Sequence, residues 1–377
     1  MPEILFQINP DRNIPWNKLP LLPINSQLYR NPDVLEKLGE AKAALARLQG
    51  RSVIIPNQGL LINTICLQEA KASSAIENIF TTDDELYKAY SEKHNEINGT
   101  SKEVMKYREA IWHGYQYLEE KKFFDVKYLI ETFQIVKETN DEIRPDFIET
   151  QIIQRGSGTI GTGKAVYTPP RGKKIIEEKL DNLIEFVNDD QKYKIDHLIK
   201  MAIAHYQFEA IHPFRDGNGR TGRIFNIHYL TNKGLIDKPI LFLSKFILEN
   251  KEAYYSALNG VTQRGDWKTW LMYMLKAIEI TSDITYQKIN NIMNAKDSIL
   301  NFIKTEHKKI RKADLLIEMI FTQPFSKVKH FQESKLYSEG VARESLNKLC
   351  ELKILDKKTM EGHHYYENIE LTRILSE

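Results

Sequence analysis

Residues 212–223 read His-Pro-Phe-Arg-Asp-Gly-Asn-Gly-Arg-Thr-Gly-Arg, and the reading of this stretch decides the fold. It is too polar and glycine-rich for a core, yet apolar helical patterns flank it on both sides. Before it, Ile195, Leu198, Ile199, Ala202 and Tyr206 recur at helical spacing. After it, Ile224, Ile227 and Leu230 follow in three-residue steps, so a helix is expected to begin near Gly219. A polar loop held between two buried helices is a place for a ligand.

The residue types define the ligand. Gly217 and Gly219 allow backbone turns closed to other residues and let main-chain N–H groups approach an anion. The unpaired N–H groups and positive dipole end of the new helix form a natural phosphate seat. Arg220 and Arg223 lie three apart, project from one side of the first turn, and can grip neighbouring phosphates with their guanidinium forks. Asp216 is placed for Mg²⁺, which favours one carboxylate plus phosphate oxygens. His212, titrating near neutrality, can take a proton from an incoming hydroxyl.

Outward from the motif the chain reads mainly α. Helical patterns cover about 32–49 (Gly50 at the C′ position), 59–75, 101–120, 126–138, 174–188, 220–233, 246–259 and 266–295. Another starts at Thr82-Asp83-Asp84-Glu85, a capping-box spacing. Residues 1–30 carry Pro10, Pro15, Pro20 and Pro23 and read as an extended arm over the body. Gln151–Arg155 and Ala165–Thr168 read as a hairpin joined by a glycine-rich turn. Its Gly158–Lys164 resembles a phosphate-binding P-loop, but Ala165 replaces the metal-binding hydroxyl, and Pro169-Pro170 cannot sit in the helix such a loop requires. His205 and His228, on the flanking helices, read as satisfied core histidines. Towards the C-terminus, helices at 315–321, 328–333 and 338–352 precede short strands at 354–357 and 364–366, the order of a winged helix.

The motif matches the signature of the Fic (filamentation induced by cAMP) family, His-x-Phe-x-Asp/Glu-Gly-Asn-Gly-Arg-x-x-Arg, at every defined position. The resemblance extends through most of residues 30–290, including the hairpin end Tyr167-Thr168-Pro169-Pro170 and the stretch Asn250–Tyr255. It implies a mainly α Fic-type helical core with a β-hairpin flap, plus a small C-terminal winged-helix-like domain. The expected division is an N-terminal arm and inhibitory region over 1–100, a catalytic core over 101–295 and the winged-helix-like unit over 310–377. The implied activity is protein adenylyltransfer: AMP moves from ATP to a Ser, Thr or Tyr hydroxyl, with Mg²⁺ or Mn²⁺ as the metal. His212 would be the general base and Asp216 the metal ligand. Gly217, Asn218 and Gly219 would hold the α/β-phosphates and Arg220 and Arg223 the β/γ-phosphates, with Thr221 and Gly222 in the same nucleotide-binding run. Tyr254 is expected near the nucleotide. Kinase-like relatives replace the Gly217-Asn218-Gly219 region, so its retention favours AMP transfer. Upstream, Ser73-Ser74-Ala75-Ile76-Glu77-Asn78 resembles the family's inhibitory motif. Ser73 and Glu77 would then form a brake, Glu77 denying Arg223 to the γ-phosphate.

Bulk composition limits the partners. Lys+Arg 53 against Asp+Glu 51 gives a net charge of +2, which does not draw nucleic acid or anionic lipid. The 301–377 unit carries 14 basic and 12 acidic residues, poor fuel for phosphate-driven binding, so protein contact or dimer packing is favoured over DNA binding. Two distant cysteines, Cys66 and Cys350, suit core positions in a reducing compartment. No run approaches the ~20 apolar residues that span a bilayer, and no secretory signal is visible, so a cytoplasmic protein without membrane contact is expected. The expected partners are an unknown target protein and the chain itself. Two other readings use the same residues: a nucleotide-sensing DNA-binding regulator, and a hydrolase that removes AMP with Glu77 orienting water.

Overall fold

The computed structural model describes residues 5–9, 11–53, 58–91, 99–148, 150–154, 164–308, 310, 312–360 and 362–377. The chain runs through α1 (Pro32–Val53), α2 (Gln58–Ile76), α3 (Asp83–Ser91), α4 (Gly99–Lys121) and α5 (Val126–Lys137). The hairpin strands β1 (Ile152–Gln154) and β2 (Lys164–Tyr167) follow, then α6 (Lys173–Asn188), α7 (His197–Ile211) and α8 (Asn218–Asn232). The body ends with α9 (Leu243–Glu249), α10 (Lys251–Arg264) and the 40-residue α11 (Trp267–Glu306). The C-terminal unit comprises α12 (Ala313–Phe321), β3 (Phe325–Ser326), α13 (Val328–Glu333), α14 (Glu339–Glu351), β4 (Leu355–Met360), β5 (His363–Asn368) and α15 (Ile369–Ser376). The fold is mainly α, with a two-stranded hairpin and a three-stranded β3-β5-β4 sheet.

Several boundaries differ from the sequence reading for local reasons. α1 runs through Gly50 to Val53, with Leu45, Leu48 and Ser52 buried, so side-chain packing outweighs the glycine's preference for a C-terminus. The expected 246–259 helix divides at Asn250 into α9 and α10. The capping box at Thr82 is realised in both directions: the Glu85 N–H donates to Thr82 Oγ1 at 3.2 Å and the Thr82 N–H to Glu85 Oε2 at 3.0 Å. The hairpin pairs antiparallel with an irregularity between Ile152 and Ile153. Its 155–163 connection, including the rejected P-loop, lies outside the described residues, as do the side chains of 58–63. β3 and α15 were not legible in the pattern. Two residues are too short for a strand signal, and α15 is an eight-residue helix capped by Asn368, whose Oδ1 accepts from the Leu371 N–H at 3.0 Å.

α7 and α8 form the buried centre, wrapped by α4, α5, α6 and α11. α7 is buried on nearly every side, which explains why its sequence is apolar all round. α8 crosses α4 at Gly114, where a Cβ would stand 2.5 Å from His228 Cε1 and 3.0 Å from the Tyr128 ring. The two helices need this close approach because His228 is fully bonded inside it. Tyr128 Oη lies 2.6 Å from Nδ1 and the Ile111 carbonyl 2.8 Å from Nε2. His228 is therefore a satisfied core histidine. His205 is also a core histidine, its Nε2 2.8 Å from Tyr254 Oη under the Trp270 ring, but its buried Nδ1 has no partner at full hydrogen-bond geometry, so it is only half satisfied. Cys66 is buried, its thiol directed to the Pro239 carbonyl.

The proline-rich arm is bound to the hairpin's base. The Trp16 N–H donates to the Thr168 carbonyl and Thr168 Oγ1 to the Arg12 carbonyl, while Trp16 itself packs edge-on to Tyr167. No described helix is long and apolar enough to cross a membrane. Because the α4–α8 crossing holds the helix that carries the motif arginines, a methyl group at Gly114 is expected to force the pair apart. Gly114→Ala should lower stability by about 1–3 kcal/mol, read as a reduced midpoint of urea unfolding with the slope unchanged.

Candidate active site

His212 closes α7 in a left-handed conformation, φ 50° and ψ 60°, with its N–H bonded to the Phe208 carbonyl at 3.0 Å. A residue with a Cβ sits there at a cost, so neighbouring contacts must hold it. Arg144 supplies them. Its Nε donates to the His212 carbonyl at 2.8 Å and its Nη2 to the Ile211 and Pro170 carbonyls. Its own N–H reaches the Pro213 carbonyl at 2.9 Å. Arg144 is buried with carbonyls as its hydrogen-bond acceptors, and burial lowers its pKa to about 10. Tyr167, at the end of β2, donates to the Ala210 carbonyl at 2.7 Å, so the hairpin braces the same helix end. Phe214 stacks on Phe133 at 4.1 Å and roots the loop in the core.

These contacts leave the His212 ring partly buried. Burial, and then the nearby Arg144 charge, push its pKa down to about 4. Its Nδ1 is shut off from solvent with no partner at full hydrogen-bond geometry, and the Glu209 backbone carbonyl is the group that favours protonation there. At neutral pH the imidazole is therefore unprotonated and able to accept a proton.

α8 starts at Gly217, φ 74°, and its first N–H groups have no intrahelical partners. Asn218 does not present its side chain to a ligand. Its amide accepts the Phe214 N–H and donates to the Phe214 carbonyl, both at 2.9 Å, so only its backbone N–H remains for phosphate. Thr221 Oγ1 is likewise taken by the Gly217 carbonyl at 3.0 Å. Gly222 faces α7, where a Cβ would meet Glu209 Oε1 at 2.5 Å; it is needed for packing. Glu209 is one of the site residues the sequence reading missed, and burial raises its carboxyl to about 7.

Arg223, Arg220 and Lys137 each have an anionic partner. Arg223 is buried, its Nε donating to Ser73 Oγ at 2.7 Å and its Nη2 to the Ser73 carbonyl at 3.0 Å and Glu77 Oε1 at 2.9 Å. Burial alone would lower its pKa, but Glu77 and Tyr107 hold it above the ordinary arginine value. The Glu77 carboxylate lies over the first turn of α8, since a Cβ on Gly219 would be 2.6 Å from Oε1. Arg220, also buried, donates from Nη1 to Glu103 Oε2 of α4 at 2.9 Å. Asp216 Oδ1 accepts the Gly217 N–H and Oδ2 the Lys137 ammonium, each at 2.6 Å. Although burial works against it, that ammonium keeps the Asp216 carboxyl below its usual range.

Tyr254, expected beside the nucleotide, is turned into the core against His205. Its neighbour Tyr255 is 44% exposed and lies within electrostatic reach of Glu77, Arg223 and Glu209. The sequence reading chose Tyr254, and the structure turns Tyr255 outward in its place. Arg144, Lys137, Glu103 and Glu209 left no periodic signal, because each reaches the site from an element distant in sequence or from the buried face of α7.

The segment carrying Ser73 and Glu77 is anchored independently. Glu69 of α2 accepts the Ser244 N–H at 2.8 Å and the Tyr107 hydroxyl at 3.2 Å, and burial pushes its carboxyl up to about 7. Lys251, opening α10, donates to the Ile76 carbonyl at the end of α2. Ser73 and Glu77 are thus fixed opposite Arg223 by contacts on both sides.

Comparison with known proteins matches three successive segments of the chain. Residues 35–116 match the Fic/DOC family N-terminal region, 123–230 the Fic/DOC family domain, and 296–371 the C-terminal domain of SoFic-like protein adenylyltransferases. The chain is 30% identical over 132 residues to protein adenylyltransferase fic-1 of Caenorhabditis elegans, covering 35% of this chain and 24% of the relative. It is 26% identical over 263 residues to protein adenylyltransferase Fic of Drosophila mojavensis, covering 69% of this chain and 46% of the relative. The chain spans less than half the length of these curated relatives. A Fic family protein from Desulfovibrio desulfuricans superposes with a TM-score of 0.54 at 18% identity, covering 89% of this chain and 96% of that one. A Fic-1 fragment from Caenorhabditis elegans gives 0.53 at 21% identity, with 70% and 74% covered. With three successive segments matched in order and the fold shared along most of its length, this chain belongs to the Fic/DOC family.

Proposed function

We propose that the protein is an adenylyltransferase that moves AMP from ATP to a Ser, Thr or Tyr hydroxyl of a target protein, and that Glu77 holds it in a low-activity state. The observation that carries the reading is the Glu77 carboxylate, bonded to Arg223 directly above Gly219, where the end of a triphosphate would need that arginine. The names of the related adenylyltransferases support the reaction class.

In this reaction the hydroxyl oxygen forms a bond to the α-phosphorus. The bond from the α-phosphorus to the bridging oxygen breaks, and pyrophosphate leaves. The hydroxyl proton passes to the free imidazole nitrogen of His212, with Nδ1 buried behind it. The α8 N-terminus and the two guanidinium groups take the phosphate charge, so positioning and fixed charge do most of the work. Asp216 fits a divalent cation because its Oδ2 already faces a cation, the Lys137 ammonium. Among the described residues no cluster of three or more His, Cys, Asp or Glu could hold a metal. Phosphate oxygens and water would therefore complete a Mg²⁺ shell around one carboxylate, and the bound ion would supply charge neutralisation for the leaving pyrophosphate.

Glu77→Gly is expected to raise incorporation of label from the α-phosphate of ATP into protein by about tenfold or more, a change of about 1.4 kcal/mol in barrier per factor of ten. Self-labelling is the first signal to measure. An equal or lower rate, or label from the γ-phosphate, refutes the reading. Adding His212→Ala to that variant should cost on the order of 10²–10⁴ in rate.

The rate of Glu77→Gly should also stay flat from pH 8 down to about 5.5. The His212 pKa of about 4 lies below that of an exposed imidazole, so the active neutral form is lost only as pH falls towards the lower value. Removing Glu77 takes away a charge that raises that pKa. A rate halved near pH 6.5 would show that the imidazole is not buried in the working enzyme.

A further inference from the structure

We propose that Lys137 is a built-in substitute for the divalent cation: its ammonium occupies the metal-facing oxygen of Asp216 until the metal–nucleotide complex displaces it. This inference rests on the reading of Asp216 as the metal carboxylate. The pair is short, 2.6 Å from Nζ to Oδ2, and the other oxygen of the same carboxylate is already taken by the Gly217 N–H. Each oxygen therefore already accepts one protein donor, and a metal ion binding Oδ2 competes there with the lysine's charge. The lysine is also held in place by its stem. Its Cγ and Cδ lie against Gly217, where a Cβ would be 2.9 and 3.0 Å away, and its side chain is 26% exposed.

The location gives the pair a consequence. Gly217 is the N-cap of α8, so a lysine lying across it stands at the mouth of the phosphate seat. Without metal, the ammonium cancels the Asp216 charge that would otherwise repel a triphosphate. With metal, the ammonium is released beside the phosphates as a mobile point charge. Lys137 thus reduces how strongly nucleotide binding depends on the metal. It is a positioning residue for Asp216, and its effect must appear as coupling between metal and nucleotide.

The test measures the affinity of α,β-methylene ATP, which cannot transfer AMP, in the full-length Glu77→Gly protein with excess EDTA and then with Mg²⁺. The readout is the ratio of the two dissociation constants. Lys137→Met should enlarge this metal-dependent gain by about three- to fivefold, the scale of a partly exposed ion pair, chiefly by weakening binding in EDTA. Lys137→Arg keeps a cation against Oδ2 and should stay near the parent ratio, which also controls for damage to the fold. Asp216→Ala should collapse the gain and make it insensitive to residue 137. If Lys137→Met leaves the gain unchanged while Asp216→Ala collapses it, the substitution role is overturned and the metal role of Asp216 stands. If Asp216→Ala leaves the gain intact, the metal reading itself fails, and this inference with it.

Discussion

The site depends on one buried guanidinium. Arg223 is 1% exposed, and a charge removed from water to that degree requires compensating partners or the fold pays a large desolvation cost. Ser73 gives it a hydroxyl and a carbonyl, and Glu77 gives it an anion. A triphosphate arriving at α8 offers an anion at the same place. The two anions compete for one cation, and the competition is built into the burial. If Glu77 is the brake proposed above, its withdrawal would leave a guanidinium that favours a phosphate oxygen as its replacement.

The same logic extends to the rest of the seat. Arg220 holds Glu103 and Asp216 holds Lys137, so the nucleotide-free site is balanced pair by pair. The three pairs differ in depth. Arg223 and Arg220 are enclosed, whereas the Asp216 side chain is 72% exposed and its pair is screened by water. Exchange at Asp216 is therefore the least costly step and exchange at Arg223 the most costly. On the proposed reading, a brake at Arg223 would therefore hold more firmly than one at the aspartate.

How much of this was legible in the sequence follows from the range of each interaction. The helix beginning after Gly217 and the paired arginines were legible because they are local: spacing within one turn fixes them. The family resemblance supplied the partner of Arg223, since Ser73 and Glu77 lie about 150 residues away and carry no periodic mark. Arg144, Lys137 and Glu103 were not legible for the same reason, with no motif to compensate. Asn218 shows a different limit. The motif places it in a phosphate-binding run without saying which of its atoms serve, and in the structure an amide four residues beyond Phe214 closes the loop on itself with two hydrogen bonds, leaving the backbone N–H. The tyrosine pair at 254–255 failed on helical phase, because one residue is a rotation of about 100°. That rotation sends Tyr254 into the core and Tyr255 to the site.

Arg144 closes the argument about precision. A general base must stand within about an ångström of its working position to be useful, yet His212 occupies a backbone region that a residue with a Cβ does not favour. Four hydrogen bonds from one arginine, to carbonyls at 170, 211, 212 and 213, hold it there. Because those partners are carbonyls and not a carboxylate, Arg144 keeps a positive charge beside the imidazole and helps to hold it unprotonated. The residue that fixes the position of the proposed base thus also favours the form of it that can accept a proton.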